Sequence, residues 1–157
     1  MLELVAQIRV YLHRPVAPDS ETLIDLRWQL TSLIFSHVAN EDRALFLPLE
    51  QDARGSVSEL ARAFKVELET LIETYEAHVL TWSTEESFRR WDEYRMTALR
   101  LLDVLEDRLG REEDQLYSIA LAEEASFCGR LEPVERNWIS PAWGMREQIF
   151  KGPDEGD

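Results

Sequence analysis

His37 and Glu41 stand four residues apart, and a second glutamate, Glu112, stands 71 residues beyond Glu41. An imidazole and a carboxylate at that spacing share one face of a helix, and both are metal-ligating groups. The surroundings repeat as well. Leu33-Ile34-Phe35-Ser36-His37-Val38-Ala39-Asn40-Glu41-Asp42-Arg43-Ala44-Leu45-Phe46 is matched by Val104-Leu105-Glu106-Asp107-Arg108-Leu109-Gly110-Arg111-Glu112-Glu113-Asp114-Gln115-Leu116-Tyr117. Apolar falls on apolar, Glu41 on Glu112 and Phe46 on Tyr117. One position breaks the match: His37 meets Arg108. A cation stands where a second metal-ligating imidazole would complete the pair.

The rest of the chemical inventory is sparse. The chain has three histidines, His13, His37 and His78, and a single cysteine, Cys128. One cysteine forms no internal disulfide, so a reducing cytoplasm is the expected location. No Gly-rich phosphate loop, no cysteine–histidine pair at useful spacing and no nucleophile motif is present. An enzyme is therefore the less supported class. His13 reads as a histidine at a helix C-terminus, where an imidazolium suits the helix dipole. His78, between Tyr75 and Trp82, reads as a helix-surface histidine.

The elements that must position these residues read as helical almost throughout. Leu4, Ile8, Tyr11 and Leu12 give a first helix over residues 2–13, ended by Pro15 and Pro18. Leu23, Leu26, Leu30, Leu33, Ile34 and His37 form the stripe of a second, from about residue 21 to 39 or on to Pro48. Ser56 and Glu59 have the form of a capping box opening a third helix, with Leu60, Phe64, Leu68, Leu71, Tyr75, Val79 and Trp82 inward. Ser83 and Glu86 form another, opening a fourth helix with Phe88, Trp91, Met96, Leu99, Leu102 and Leu105 inward, extending to about residue 125. Four long amphipathic helices with short connections point to an all-α, antiparallel four-helix bundle over residues 1–125. A globin-like arrangement is the competitor. Leu30, Leu33, Ile34, Phe64, Leu71, Leu99, Leu102 and Leu105 are its expected core. Residues 126–157 form a C-terminal extension. Its aromatic part carries a short helix over residues 141–150, with Ser140 as cap and Pro141 at the first position, and its acidic end is expected to be disordered.

Charge narrows the partners. Thirty-one acids against 17 bases give a net charge of −14. Nucleic acid and anionic membrane both demand a basic face, so neither is expected. No apolar run approaches the roughly 20 residues of a membrane span, and the N-terminus has no basic leader of the signal-peptide kind.

The repeated motif, set in four helices, resembles the hemerythrin-like, or HHE cation-binding, family. The resemblance covers residues 1–125. It implies two helical hairpins, each bringing a histidine and a His-x-x-x-Glu to a non-haem di-iron site that binds or senses oxygen and related small molecules. Residue by residue, His37 and Glu41 match the first His-x-x-x-Glu. Glu112 matches the second glutamate, with Arg108 in place of the second histidine. Glu67, on the inner stripe of the third helix, is the best match for one leading histidine. Gln7 and His13 are the only nitrogen donors near the other, at unconvincing spacing. Three histidines do not build a site that needs at least four.

The expectation is thus a metal-free relative. Arg108 compensates Glu41, Glu112 and Glu67, with His37 adjacent, in a salt-bridge network standing in for metal. Its rival is an Arg108 that snorkels to solvent. Function then falls to interaction with a protein partner or a second copy of the chain. The alternative is a remodelled iron site, or one for oxygen or NO, using His37, Glu41, Glu112 and Glu67. The aromatic extension, with Trp138, Trp143 and Phe150, is expected to dock on its own bundle, to form a dimer contact, or both.

Overall fold

The computed structural model describes residues 1–119 and 139–150. The fold is all-α, with no strand among the described residues. Among the described residues seven α-helices follow one another: α1 (Leu2–Leu12), α2 (Ser20–Glu41), α3 (Leu47–Glu50), α4 (Gly55–Thr81), α5 (Thr84–Arg89), α6 (Trp91–Glu112) and α7 (Ile139–Phe150). Two π-helical turns, Asp42–Phe46 and Glu113–Tyr117, follow α2 and α6 directly.

Local chemistry accounts for most boundaries. α2 begins where Asp19 accepts from the Thr22 amide at 2.8 Å, a side-chain cap on an orphan N–H. Ser83 caps α5 in the same way, accepting from the Glu86 amide at 3.1 Å. The other expected box does not form. α4 starts at Gly55, with Arg54 before it and no side-chain cap. Ser58, not Ser56, is held there, donating to the Gly55 carbonyl at 3.0 Å. The expected fourth helix is two helices. Arg90 leaves helical geometry between them, and the chain restarts at Trp91. α7 starts two residues before Pro141, which therefore lies inside the first turn, where a missing N–H costs nothing.

The core runs along the long helices. Val5, Leu12, Leu30, Ile34, Phe64, Leu68, Leu71, Leu102, Leu105 and Leu116 are all buried. One expected core residue, Leu33, and one residue expected to face inward, Met96, are not. Leu33 is 36 % exposed and Met96 is 49 % exposed, because the buried stripes run through Leu30, Ile34 and Phe35 on α2 and through Tyr94, Ala98 and Leu102 on α6. Leu99 lies partly buried against the core.

Cross-links fix the helices to one another. Arg9 of α1 pairs with Asp103 at 2.7 Å and with Glu106, both on α6. The Trp91 indole donates to the Arg14 carbonyl at 3.0 Å. Thr31 and Tyr75 hydroxyls join α2 to α4 at 2.7 Å. α7 packs on both α2 and α4, with Ala142, Met145 and Ile149 buried. Thr84 donates to the Ile149 carbonyl at 2.6 Å, and Trp28 meets Trp143 and Phe150 at 6.2 and 6.0 Å between ring centroids. The described part of the extension thus docks on the chain's own helices. No helix among the described residues is long and apolar enough to cross a membrane.

Candidate functional site

The last turn of α2 and the last turn of α6 meet at a buried polar cluster. His37 and Glu41 come from the first and Arg108 and Glu112 from the second. The helical four-residue spacing puts each pair on one face. His37 Nε2 lies 3.1 Å from Glu41 Oε1. Arg108 Nη1 lies 2.5 Å from Glu112 Oε1, with the two side chains only 3 % and 2 % exposed. Ligand atoms of His37, Glu41 and Glu112 all lie within 4.8 Å of one another.

Arg108 does not snorkel. Its Nη2 donates to the Phe64 carbonyl of α4 at 3.0 Å, and its guanidinium lies 4.7 Å from the Phe64 ring centroid. A planar cation is thereby gripped by a carboxylate, a carbonyl and an aromatic face, which suits arginine's fork of donors.

The two π turns begin at equivalent places in the repeat, immediately after Glu41 and after Glu112. In the first, the Leu47 amide reaches back five residues to the Asp42 carbonyl. Such single-turn insertions cluster at functional sites. Each turn brings one aromatic residue round, and the two differ. Phe46 is fully buried. Tyr117 instead donates its hydroxyl to Glu41 Oε1 at 3.0 Å, tying the turn after α6 to the glutamate at the end of α2. Asp42 is buried and meets Lys65 Nζ at 3.1 Å, whereas its counterpart Glu113 is exposed.

The charges nearly cancel. Two carboxylates face one permanent cation, and His37 and Glu112 are the groups beside them whose pKa the cluster raises. Burial works against charge on His37, but the Glu41 carboxylate, with help from Glu112, outweighs it and raises the imidazole pKa. Burial, and then the neighbouring Glu41, push Glu112 up to about 7, and Arg108 and His37 offset only part of this. Each group is thus shifted toward its protonated form. Burial and Glu41 also raise the Tyr117 phenol, which stays a donor. Glu41 Oε2 and Arg108 Nε are buried and have no hydrogen-bond partner among the described residues.

A di-iron centre does not fit these residues. His37, Glu41 and Glu112 form the only such donor group found among the described residues, enough for one ion and not for two.

The remaining candidates lie elsewhere. Glu67 is exposed and pairs with Arg111 at 2.8 Å, outside the cluster. Its position on α4 faces the surface beside Val66, because the buried stripe passes through Phe64 and Leu68. His13 is exposed at the C-terminal end of α1, and Gln7 is exposed. His78 is half-buried and stacks on Tyr94 at 5.7 Å between centroids. Trp143 and Phe150 are 59 % and 43 % exposed, while Trp138 and Cys128 lie outside the described residues. Sequence reasoning passed over Tyr117, whose hydroxyl was visible as the difference from Phe46 in the repeat. It also passed over Arg27, a buried cation within an apolar stripe. Arg27 donates to the Trp82 carbonyl and to Thr84 Oγ1.

No family model, no curated protein and no solved structure matches this chain.

Proposed function

We infer that the protein is a metal-free, hemerythrin-like module that acts by protein interaction, its α1, α2, α4 and α6 forming an antiparallel four-helix bundle. The observation that carries this reading is the buried Arg108, seated between Glu112, the Phe64 carbonyl and the Phe64 ring. In a metal-loaded relative the ion would compensate the central carboxylates. Here an arginine and a shared proton do so, leaving the bundle as a rigid support. The contact surface is then the exposed aromatic corner of α2 and α7. Trp28, Trp143 and Phe150 surround the Arg146 guanidinium at 5.9, 5.7 and 4.9 Å, and aromatics with arginine dominate interface energetics. The partner is another protein or a second copy of the chain, in a cytoplasmic setting.

A second reading has one observation in its favour. Three donors converge within 4.8 Å, and Glu41 Oε2 lacks a partner, so a single iron or manganese ion has a donor set of suitable chemistry. Elemental analysis of the purified protein with a near-ultraviolet and visible spectrum decides between them. The first reading expects less than a tenth of an equivalent of iron or manganese per chain (roughly background beside the one-ion stoichiometry of such a site). Stoichiometric metal lost on Glu41→Gln overturns it. The interaction role is tested by light scattering and crosslinking. Trp143→Ser with Phe150→Ser is expected to abolish self-association while the helical circular dichroism is kept, with a fall in melting temperature from the lost Trp28 contacts; a folded variant that self-associates like the parent chain overturns the role.

A further inference from the structure

Two arginines are buried among the described residues, and they are not held alike. Arg108 has a carboxylate, Glu112, at 2.5 Å. Arg27, on α2 and 7 % exposed, has no carboxylate partner among the described residues. Its acceptors are the Trp82 carbonyl and Thr84 Oγ1, both neutral. A guanidinium has five N–H donors and stays charged at any physiological pH. These two acceptors satisfy part of the donor set and none of the charge. Burying a charge without a partner is costly.

Arg27 also lines a cavity. α1, α2, α4 and α6 leave a space between them in which the centre of a water-sized sphere has about 40 Å3 to move. A single water needs about 10–15 Å3 on that measure, so a few waters, or one small ion, fill it. Leu12, Leu30 and Leu102 give it apolar wall, and Arg27, His78 and Tyr94 stand among its polar residues. No acid among the described residues lines it.

The lining is short of acceptors and positive throughout. Tyr94 is 5 % exposed, and its hydroxyl has no hydrogen-bond partner among the described residues. The Arg27 guanidinium lies 5.7 Å from the Tyr94 ring centroid. Burial takes the His78 pKa down to about 4, and Arg27 adds to the fall. Burial raises the Tyr94 phenol, and Arg27 works against the rise. No carboxylate offsets the guanidinium at either group. Water in the cavity takes spare N–H groups but leaves the charge. One negative charge cancels it, whereas a divalent anion replaces one uncompensated charge by another. Volume and charge together select a small, singly charged occupant.

We propose that this cavity binds one small monovalent anion of about the size of chloride, held on Arg27 with the Tyr94 hydroxyl as a second donor. The experiment is an NMR titration of the full chain, in buffer free of small anions, with sodium chloride. Sodium gluconate at equal ionic strength is the control, an anion too bulky for the space. Chloride is expected to shift the His78 ring signals saturably and to raise the His78 pKa, because the anion offsets a charge that helps to lower it. Gluconate is expected to do neither. Arg27→Met is expected to abolish the saturable shift. Tyr94→Phe is expected to weaken chloride about threefold to tenfold, the scale of one hydrogen bond. Melting curves check that the variants fold; if Arg27→Met does not, Tyr94→Phe and the gluconate control carry the test. Four results each overturn the proposal. They are no saturable shift, which leaves water alone in the cavity; an equal response to gluconate, which is screening; a saturable shift kept in folded Arg27→Met; and chloride affinity unchanged by Tyr94→Phe.

Discussion

Arg108 sits near His37 at one end of the long helices, and Arg27 sits near His78, against Tyr94, in another buried cluster. The residue types match and the electrostatics oppose. Arg108 faces carboxylates, Glu112 directly and Glu41 beyond it. Arg27 has only neutral acceptors, the Trp82 carbonyl and Thr84 Oγ1, with the Tyr94 ring at 5.7 Å. Around Arg27, therefore, nothing offsets a second positive charge. Burial and Arg27 together drive His78 down to about 4, while the carboxylates near Arg108 raise His37 despite its burial. A buried histidine beside an arginine is thus not of one kind. The acids within reach decide whether it holds a proton.

The largest expected effect follows from what each arginine leaves behind. Arg108→Ala strands Glu112 in the core and is expected to cost about 3–5 kcal/mol. Arg27→Met, which keeps much of the volume, strands only a carbonyl and a hydroxyl and is expected to cost about 1–3 kcal/mol. Urea midpoints for the two variants measure the difference. Adding Glu112→Gln to Arg108→Ala is expected to recover part of the loss, since no charge then remains unpaired. Equal midpoints for Arg108→Ala and the parent chain would falsify the network.

The next effect is on pH dependence, and the two clusters pull in opposite directions. Glu112 is raised from 4.5 to about 7 in the fold. Between those values the folded chain holds the extra proton, so this contribution to stability falls as pH rises. His37, raised above 6.5, acts the same way: its contribution is present below 6.5 and lost as pH rises through the folded value. His78, lowered from 6.5 to about 4, does the reverse. Its contribution is present above 6.5 and lost as pH falls toward 4. The parent chain is expected to show a shallow profile between about pH 4.5 and 6.5, where the slopes from Glu112 and His78 cancel, each up to about 1.4 kcal/mol per pH unit. Glu112→Gln is expected to unmask a rise of stability with pH, and His78→Gln a fall. Melting temperatures over that range, with imidazole titrations followed by NMR, check both. A His37 that titrates below His78 reverses the comparison.

The contrast also marks what was legible in the sequence. The central cluster was readable because it repeats. Glu41 and Glu112 align, and the substitution of Arg108 for histidine stood out against that alignment. Glu67 was placed with them by its neighbours Phe64 and Leu68. One residue along a helix turns the side chain by about 100°, and that took Glu67 to the surface and Leu33 with it. The Arg27 cluster had no such signal. Arg27 is a cation among Leu23, Leu26 and Leu30, and its partners are a carbonyl and a hydroxyl more than fifty residues away, at Trp82 and Thr84. No side-chain pattern announces a backbone carbonyl. The break at Arg90 escaped for a related reason. The Ser83 cap was visible, but the apolar spacing of Phe88, Trp91 and Tyr94 is carried across the break with no proline or glycine to mark it.

The smallest expected effect separates the two halves of the repeat themselves. Phe46 and Tyr117 occupy equivalent places in the two π turns, and only Tyr117 carries a hydroxyl. That hydroxyl donates to Glu41 Oε1 at 3.0 Å, the same oxygen that His37 Nε2 approaches at 3.1 Å. Tyr117→Phe makes the two halves alike. It removes one hydrogen bond to a buried carboxylate, but the ring is 37 % exposed, so water can take the phenol's place. The expected cost is about 1 kcal/mol, seen as a small fall in the urea midpoint. The more informative readout is His37. With one donor fewer on Glu41, the carboxylate draws harder on the imidazolium, and the His37 pKa is expected to rise further above 6.5. If the His37 titration does not move while the midpoint falls, Tyr117 is a packing residue of its turn. If it rises, the hydroxyl and the imidazole compete for one oxygen, and the proton on His37 answers to the turn after α6 as well as to α2.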